Sequence, residues 1–179
     1  MAKENNLRYI LLGLLAQKDL TGYDIKKIFE QEVGDFWSSR HSQIYPELRK
    51  LEEEGLISSH MDTAGIRLQK KYYHLASAGR ALLQKWLQQP LGSLAPTRDE
   101  FTMKLYLLSS RKDPLLPQLF QEDIRRHEEH LAHLQLRWKL LFSTEEEQNK
   151  NFGHALILQE AIQRESRKLE WEKQQLGKL

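Results

Sequence analysis

The segment Gln43-Ile44-Tyr45-Pro46-Glu47-Leu48-Arg49-Lys50-Leu51-Glu52-Glu53-Glu54-Gly55-Leu56-Ile57 decides the fold. Ile44, Leu48 and Leu51 recur at helical spacing and mark one apolar face. Pro46 falls within or beside the first turn, where its missing N–H costs little. Gly55 supplies the left-handed stop that ends a helix. A short helix therefore opens at Ser42-Gln43 and closes at Gly55. Leu56 to Met61 then reads as a short strand, Asp62-Thr63-Ala64-Gly65 as a turn, and Arg67 to Leu75 as a returning strand that carries Tyr72 and Tyr73.

Upstream, Leu7, Ile10, Leu11, Leu14 and Leu15 predict a helix over 5–17. Thr21-Gly22-Tyr23-Asp24 has the form of a capping box, with a Thr oxygen for the helix N–H groups and an acid three residues on. It opens a second helix over about 22–32 that presents Tyr23, Ile25, Ile28 and Phe29. Downstream, a helix over about 77–88 buries Leu82, Leu83, Trp86 and Leu87. Three short helices followed by a two-stranded hairpin compose a winged helix-turn-helix. In that architecture the third helix enters the DNA major groove and the wing touches the backbone or minor groove.

Two prolines and a glycine between Gln88 and Pro96 punctuate the chain. They divide it into a winged-helix domain over 1–89, a linker over 90–97 and an all-helical domain over 98–179. In the last, Phe120, Ile124, His127, Leu131, Leu134, Trp138 and Leu141 alternate steps of four and three, a seam for another helix. Ser143-Thr144-Glu145-Glu146-Glu147 reads as a turn with a second capping box. A final helix over about 152–176 carries Ala155, Leu158, Ile162, Leu169 and Leu176. The seam is too long for so small a winged helix to cover. Phe120, Ile124, His127, Leu131, Leu134, Trp138, Leu158, Ile162 and Leu169 are therefore expected to pack against a second copy of the chain. The fold class expected is mainly α, a winged helix with a two-stranded β wing plus a helical dimerisation domain.

Composition bounds the rest. The chain's 179 residues suit one or two small domains. The absence of cysteine excludes disulfides, thiolate metal sites and cysteine nucleophiles, and fits a reducing cytoplasm. No apolar run approaches the roughly 18 residues of a membrane span, and no secretion signal is read at the start. Net charge is only +2, so DNA binding must come from a local patch. Residues 1–90 hold 13 Lys and Arg against 11 Asp and Glu, and residues 91–179 hold 14 against 14; placement therefore matters more than totals. There is no Gly-rich phosphate loop, G-x-S-x-G elbow or obvious carboxylate pair, so no enzyme is expected. Glu52-Glu53-Glu54 and Glu145-Glu146-Glu147 read as solvated helix faces.

On the third helix, Ser42, Gln43 and Tyr45 suit base edges or phosphates. Arg40, Arg49 and Lys50 suit phosphates, with Pro46 on the same surface. Glu47 is expected to point away or to accept from a cytosine amine. On the wing, Arg67, Gln69, Lys70 and Lys71 offer donors. Lys70 and Lys71 point to opposite faces, so one of them is expected to pair with the Glu52–Glu54 cluster instead of phosphate. The run His127-Glu128-Glu129-His130-Leu131-Ala132-His133 lacks zincin spacing, and its histidines fan around the helix. His127 is expected to be a hydrogen-bonded interface histidine, and no metal or cofactor is expected. Trp37, Trp86, Trp138 and Trp171 read as core or interface anchors.

Several stretches resemble the PadR family of bacterial transcriptional regulators. They are Tyr9-Ile10-Leu11-Leu12-Gly13-Leu14-Leu15, Thr21-Gly22-Tyr23-Asp24-Ile25, the Gln43–Ile57 segment, and Lys70-Lys71-Tyr72-Tyr73-His74-Leu75 with Gly79-Arg80. From Arg98-Asp99-Glu100-Phe101-Thr102-Met103-Lys104-Leu105 to Trp171 the chain resembles the helical domain of the long PadR subfamily. Phe36 to Tyr45 and Asn151-Phe152-Gly153-His154 resemble its phenolic acid-responsive members. The resemblance implies a homodimeric repressor on a dyad-symmetric DNA operator, released by a small aromatic acid and controlling a phenolic acid decarboxylase gene. For that effector it implies a slot between the two domains, walled by Tyr23, Phe101 and Phe152, with Arg98, Lys104 and His154 as donors. A virulence- or drug-type regulator with another ligand or none, and a helical protein–protein adaptor, stay open as alternatives. Ala76 stands where the family usually has the threonine cap of the fourth helix, and Ser77 is expected to cap one residue later.

Overall fold

The computed structural model of the chain describes residues 6–35, 37, 41–63, 69–92 and 99–179. The expectations placed on Arg40, Arg67, Arg98, the turn residue Gly65 and most of the 90–97 linker lie outside these residues, as does the side chain of Gln69. The chain divides into two compact units, Met1–Ser93 and Leu94–Leu179.

The first unit runs α1 (Leu7–Leu15), β1 (Leu20–Thr21), α2 (Gly22–Gln31), α3 (Ile44–Glu53), β2 (Ile57–Thr63), β3 (Gln69–Leu75) and α4 (Ser77–Leu87). A 3-10 turn over His41–Gln43 leads into α3. The Thr21–Asp24 capping box forms in full: Asp24 N donates to Thr21 Oγ1 at 3.1 Å, and Thr21 N donates back to Asp24 Oδ2 at 3.0 Å. The hydrogen bond from the Thr21 hydroxyl holds the Asp24 carboxyl below its usual range. Gly55 ends α3 at φ +70°, a conformation that penalises any side chain. Ile25, Ile44, Leu48 and Leu51 are fully buried in one core with Leu11 and Leu12 of α1. Burial of each such side chain contributes about 1.5–3 kcal/mol. Tyr9 of α1 stacks flat on Trp86 of α4, ring centroids 4.4 Å apart, and closes the far side of the core.

The expected two-stranded wing forms from β2 and β3, and the sheet gains one strand beyond it. It has three antiparallel strands in the order β1-β3-β2, because Leu20 and Thr21 pair with Tyr73 and Tyr72. A two-residue strand is too short to show an alternating pattern. Ser77 does not cap α4. Ala76 occupies the cap position in extended conformation and Ser77 is already in the helix. The start of α4 is held instead by the backbone: Ala76 N donates to Leu56 O at 3.1 Å. Gly79 comes so close to that carbonyl that a Cβ would stand 2.1 Å from the oxygen.

The second unit is helical: α5 (Glu100–Leu107), α6 (Leu115–Leu141), α7 (Glu145–Lys150) and α8 (Phe152–Leu176). Asp99 caps α5 by accepting from the Phe101 and Thr102 N–H groups. The second capping box, Thr144 with Glu147, opens a short helix of its own where a turn was expected. It returns the chain so that α6 and α8 lie antiparallel. Phe120 packs near Trp171 at one end, His127 meets Glu165 in the middle, and Phe142 meets His154 at the other.

This pairing corrects the assignment of the seam. Phe120, Ile124, Leu134, Leu158 and Leu169 are buried within the single chain, between α6 and its own partner α8. His127 is hydrogen-bonded, and its acceptor is Glu165 of the same chain. A heptad stripe specifies that a helix packs there and carries no information about whose helix it is. Leu131, Trp138 and Ile162 are half-buried; the last two line an open groove with Gln135, Lys139, Gln159 and Gln163. The two ends of the hairpin are apolar. Phe101, Leu116 and Phe120 cluster at one end, and Leu134, Phe142 and Leu158 at the other.

Candidate nucleic-acid interface

The burial pattern of α3 sorts its side chains. Ile44, Leu48 and Leu51 are fully buried, and Glu47 is buried beside them. Ser42, Gln43, Pro46, Arg49 and Lys50 are exposed, and Tyr45 is 51% exposed. The helix therefore turns its apolar stripe to the core and presents hydroxyl, amide, guanidinium and ammonium donors on the other side. Those are the groups that bond phosphates and base edges.

Tyr45 is placed by its neighbour. Its ring lies over Gly22 at the start of α2, so close that a Cβ there would stand 2.6 Å from Tyr45 Cε1. Nothing in the sequence signalled this. The capping box accounts for Thr21 and Asp24 and leaves Gly22 unconstrained.

The wing is fastened to the same helix. Tyr73 and Leu75 of β3 face the core, and Lys71 shares their side of the strand. Lys71 Nζ donates to Glu52 Oε2 at 2.8 Å and lies 5.0 Å from the Tyr73 ring centroid. Ser59 of β2 donates to the other oxygen of Glu52. These bonds, Lys71's first and Ser59's second, lower the Glu52 carboxyl pKa; the bond to Glu52 raises that of Lys71. Lys70, on the opposite face, stays exposed toward solvent. Of the two wing lysines, Lys71 is thus the one engaged by the acidic cluster. Glu52 and Glu54 are not merely solvated, because Glu54 also pairs with Arg8 of α1.

The residues named for an aromatic effector do not assemble into one slot. Phe101 is 2% exposed and packs edge-on against Phe120, with ring centroids 5.3 Å apart. Lys104 is exposed and paired with Glu100 at 2.8 Å. His154 is half-buried, 5.2 Å from the Phe142 ring, and Phe152 beside it is 60% exposed. Phe120 and Phe142 mark opposite ends of α6, about 33 Å apart at 1.5 Å per residue. Phe101 and Lys104 therefore cannot share a small-molecule slot with Phe152 and His154 of the same chain. Tyr23 is exposed and belongs to the first unit.

Three helices, a hairpin wing and a donor-rich outer face on the third helix define a winged helix-turn-helix protein of the DNA-binding class. The profile of the transcriptional regulator PadR-like family matches residues 11–85, and that of the virulence activator alpha C-terminal domain matches residues 97–179. The negative transcriptional regulator PadR of Bacillus subtilis (strain 168) is 38% identical over 170 residues, 92% of each chain. The crystal structure of B. subtilis PadR in complex with operator DNA superposes with a TM-score of 0.87 at 35% identity, over 99% of both chains. Its complex with p-coumaric acid gives 0.83 at 36% identity, over 96% of both. The chain belongs to the PadR-like family of transcriptional regulators.

Proposed function

We propose that this chain is a cytoplasmic homodimeric repressor. The α3 helices of two protomers enter successive major grooves of a dyad-symmetric operator, roughly 34 Å apart. The observation that carries this reading is the outer face of α3, where Tyr45, Arg49 and Lys50 are exposed above a fully buried apolar underside. The helical unit supplies the dimer contact. Its seam is used internally, so the surface left for a second copy is the exposed apolar set that includes Leu136, Leu140 and Leu156. A small aromatic acid of the p-coumarate type binds at the Phe152–His154 end of that unit and releases the operator. Support for this comes from the B. subtilis relative crystallised with p-coumaric acid. The regulated gene encodes a phenolic acid decarboxylase.

The test uses DNA from upstream of the protein's own gene and its neighbours. Tyr45→Ala weakens binding about thirtyfold and Lys50→Ala about tenfold without lowering the melting temperature, and Lys50→Ala also flattens the salt dependence by about two phosphate contacts, one per protomer. Unchanged binding in both variants refutes the assignment of α3. Adding p-coumarate weakens wild-type binding roughly 5- to 150-fold, the range of ordinary allosteric coupling. His154→Ala keeps DNA binding and blunts that release; unchanged release removes His154 from the effector site.

A further inference from the structure

The middle of the α6–α8 hairpin is neither apolar nor used by the functions proposed above. Asp123, Glu165 and Glu172 are buried there, at 3%, 5% and 0% exposure. Burying an anion is costly unless a cation compensates it. One donor atom each from Asp123, His127 and Glu172 lies within 4.8 Å of the other two. His127 Nε2 stands 3.5 Å from Asp123 Oδ2, while its Nδ1 is hydrogen-bonded to Glu165 Oε2. A carboxylate behind an imidazole in this way fixes the ring's orientation for metal binding. Asp123 Oδ2 and both oxygens of Glu172 receive no hydrogen bond. The cation now beside them is Lys168, whose Nζ lies 3.0 Å from Glu172 Oε1 and 3.6 Å from Asp123 Oδ2. It is the ion-pair partner of Glu172 and also sits 4.3 Å from the Phe101 ring centroid. Arg126 Nη1 also pairs with Asp123 Oδ1 at 3.1 Å and Arg164 Nε lies 3.9 Å from Glu165 Oε1, while Lys168, 27% exposed, serves Asp123 and Glu172 and has a path to solvent.

We propose that Asp123, His127 and Glu172 form a binding site for a divalent first-row transition-metal ion such as Zn2+, which clamps α6 to α8. One imidazole and two carboxylates suit such an ion and leave a coordination position open. Metal–ligand bonds of about 2.0–2.2 Å require the three side chains to converge by about 1 Å. Glu165 holds His127 in register, and Lys168 swings outward as the doubly charged ion takes its place. The histidine run alone does not reveal the site, because the third ligand comes from the other helix.

The experiment titrates the full-length chain, first freed of metal with EDTA, with Zn2+ by calorimetry and with Co2+ by visible absorption. One ion binds per chain and raises the melting temperature. Glu172→Gln, which removes a ligand and also a buried charge, weakens binding at least about tenfold, as does His127→Gln. Glu165→Gln weakens it about 10- to 100-fold. Lys168→Met tightens it, and His133→Gln on the same helix leaves it unchanged. Equal affinity in wild type and Glu172→Gln overturns the proposal, because the ion is then held by surface histidines. Failure of both wild type and Lys168→Met to bind Zn2+ overturns it as well.

Discussion

Replacing Gly22 with alanine separates the folding of the winged unit from the placement of one side chain on its outer face. The added Cβ would lie 2.6 Å from Tyr45 Cε1 and 3.3 Å from Cζ. Carbon atoms rest at about 3.5–4.0 Å, so the ring must retreat by about 1 Å. Tyr45 is half-exposed, and the ring has room to move outward. Gly22 opens α2 without a positive φ, so alanine meets no backbone strain there. Its better helix propensity contributes about 0.5–1 kcal/mol. Pushing the tyrosine off its rotamer costs about 0.5–1.5 kcal/mol. These nearly cancel, and the melting temperature should stay within about 3 °C of wild type. DNA binding responds differently. Loss of one tyrosine contact costs about 1 kcal/mol in each protomer, or roughly thirtyfold for a dimer. Fluorescence anisotropy with a labelled operator fragment, run beside thermal melts, reads both quantities. If Gly22→Ala binds as wild type while Tyr45→Ala is weak, Gly22 does not set the ring's position. If the variant unfolds, the ring has no freedom to retreat. Either result refutes the reasoning.

Gly79→Ala should behave in the opposite way. Its Cβ would stand 2.1 Å from the Leu56 carbonyl oxygen and 2.8 Å from Leu75 Cδ1. That carbonyl is pinned by Ala76, so differential scanning calorimetry should show a loss of about 3 kcal/mol or more. Thr21→Val removes the α2 cap and should cost about 1 kcal/mol near neutral pH. Because the Thr21 hydroxyl holds the Asp24 carboxyl below its ordinary 3.8, that stability is present above 3.8 and fades as pH falls through the lowered value. Urea melts should therefore show the gap between the two proteins narrowing, without closing, as pH falls below 3.8, because the bond that Thr21 Oγ1 accepts from Asp24 N does not titrate. On the wing, Lys70→Ala should weaken operator binding and reduce its salt slope by about two, one phosphate contact in each protomer. Lys71→Ala should change affinity less than about threefold, since that lysine is engaged by Glu52 and surface pairs contribute only about 0–1 kcal/mol.

Local chemistry was readable in the sequence wherever one segment contains all its own determinants. The Thr21–Asp24 box, the stop at Gly55 and the limits of α8 each depend on neighbours within a few residues, and each formed as expected. The alternation of Lys70 and Lys71 also held, because strand geometry dictates it. What was not readable depends on which distant segment arrives. The stripe from Phe120 to Leu141 shows that a helix covers it, and only the three-dimensional structure shows that α8 does so. Phe101 and His154 have the right chemistry for an aromatic acid, but the length of α6 separates them. Glu165 and Glu172 look like ordinary solvent-facing acids in sequence. They are buried because Asp123, His127 and Lys168 gather around them from two helices.

The bridge from Ser59 and Lys71 to Glu52 has a mechanical consequence. It ties the base of the hairpin to the last turn of α3, and the shared core fixes the helix from beneath. The third helix and the base of the hairpin are in effect two parts of one key. Twisting the helix alone would break its anchorage to two strands, β2 and β3, at once.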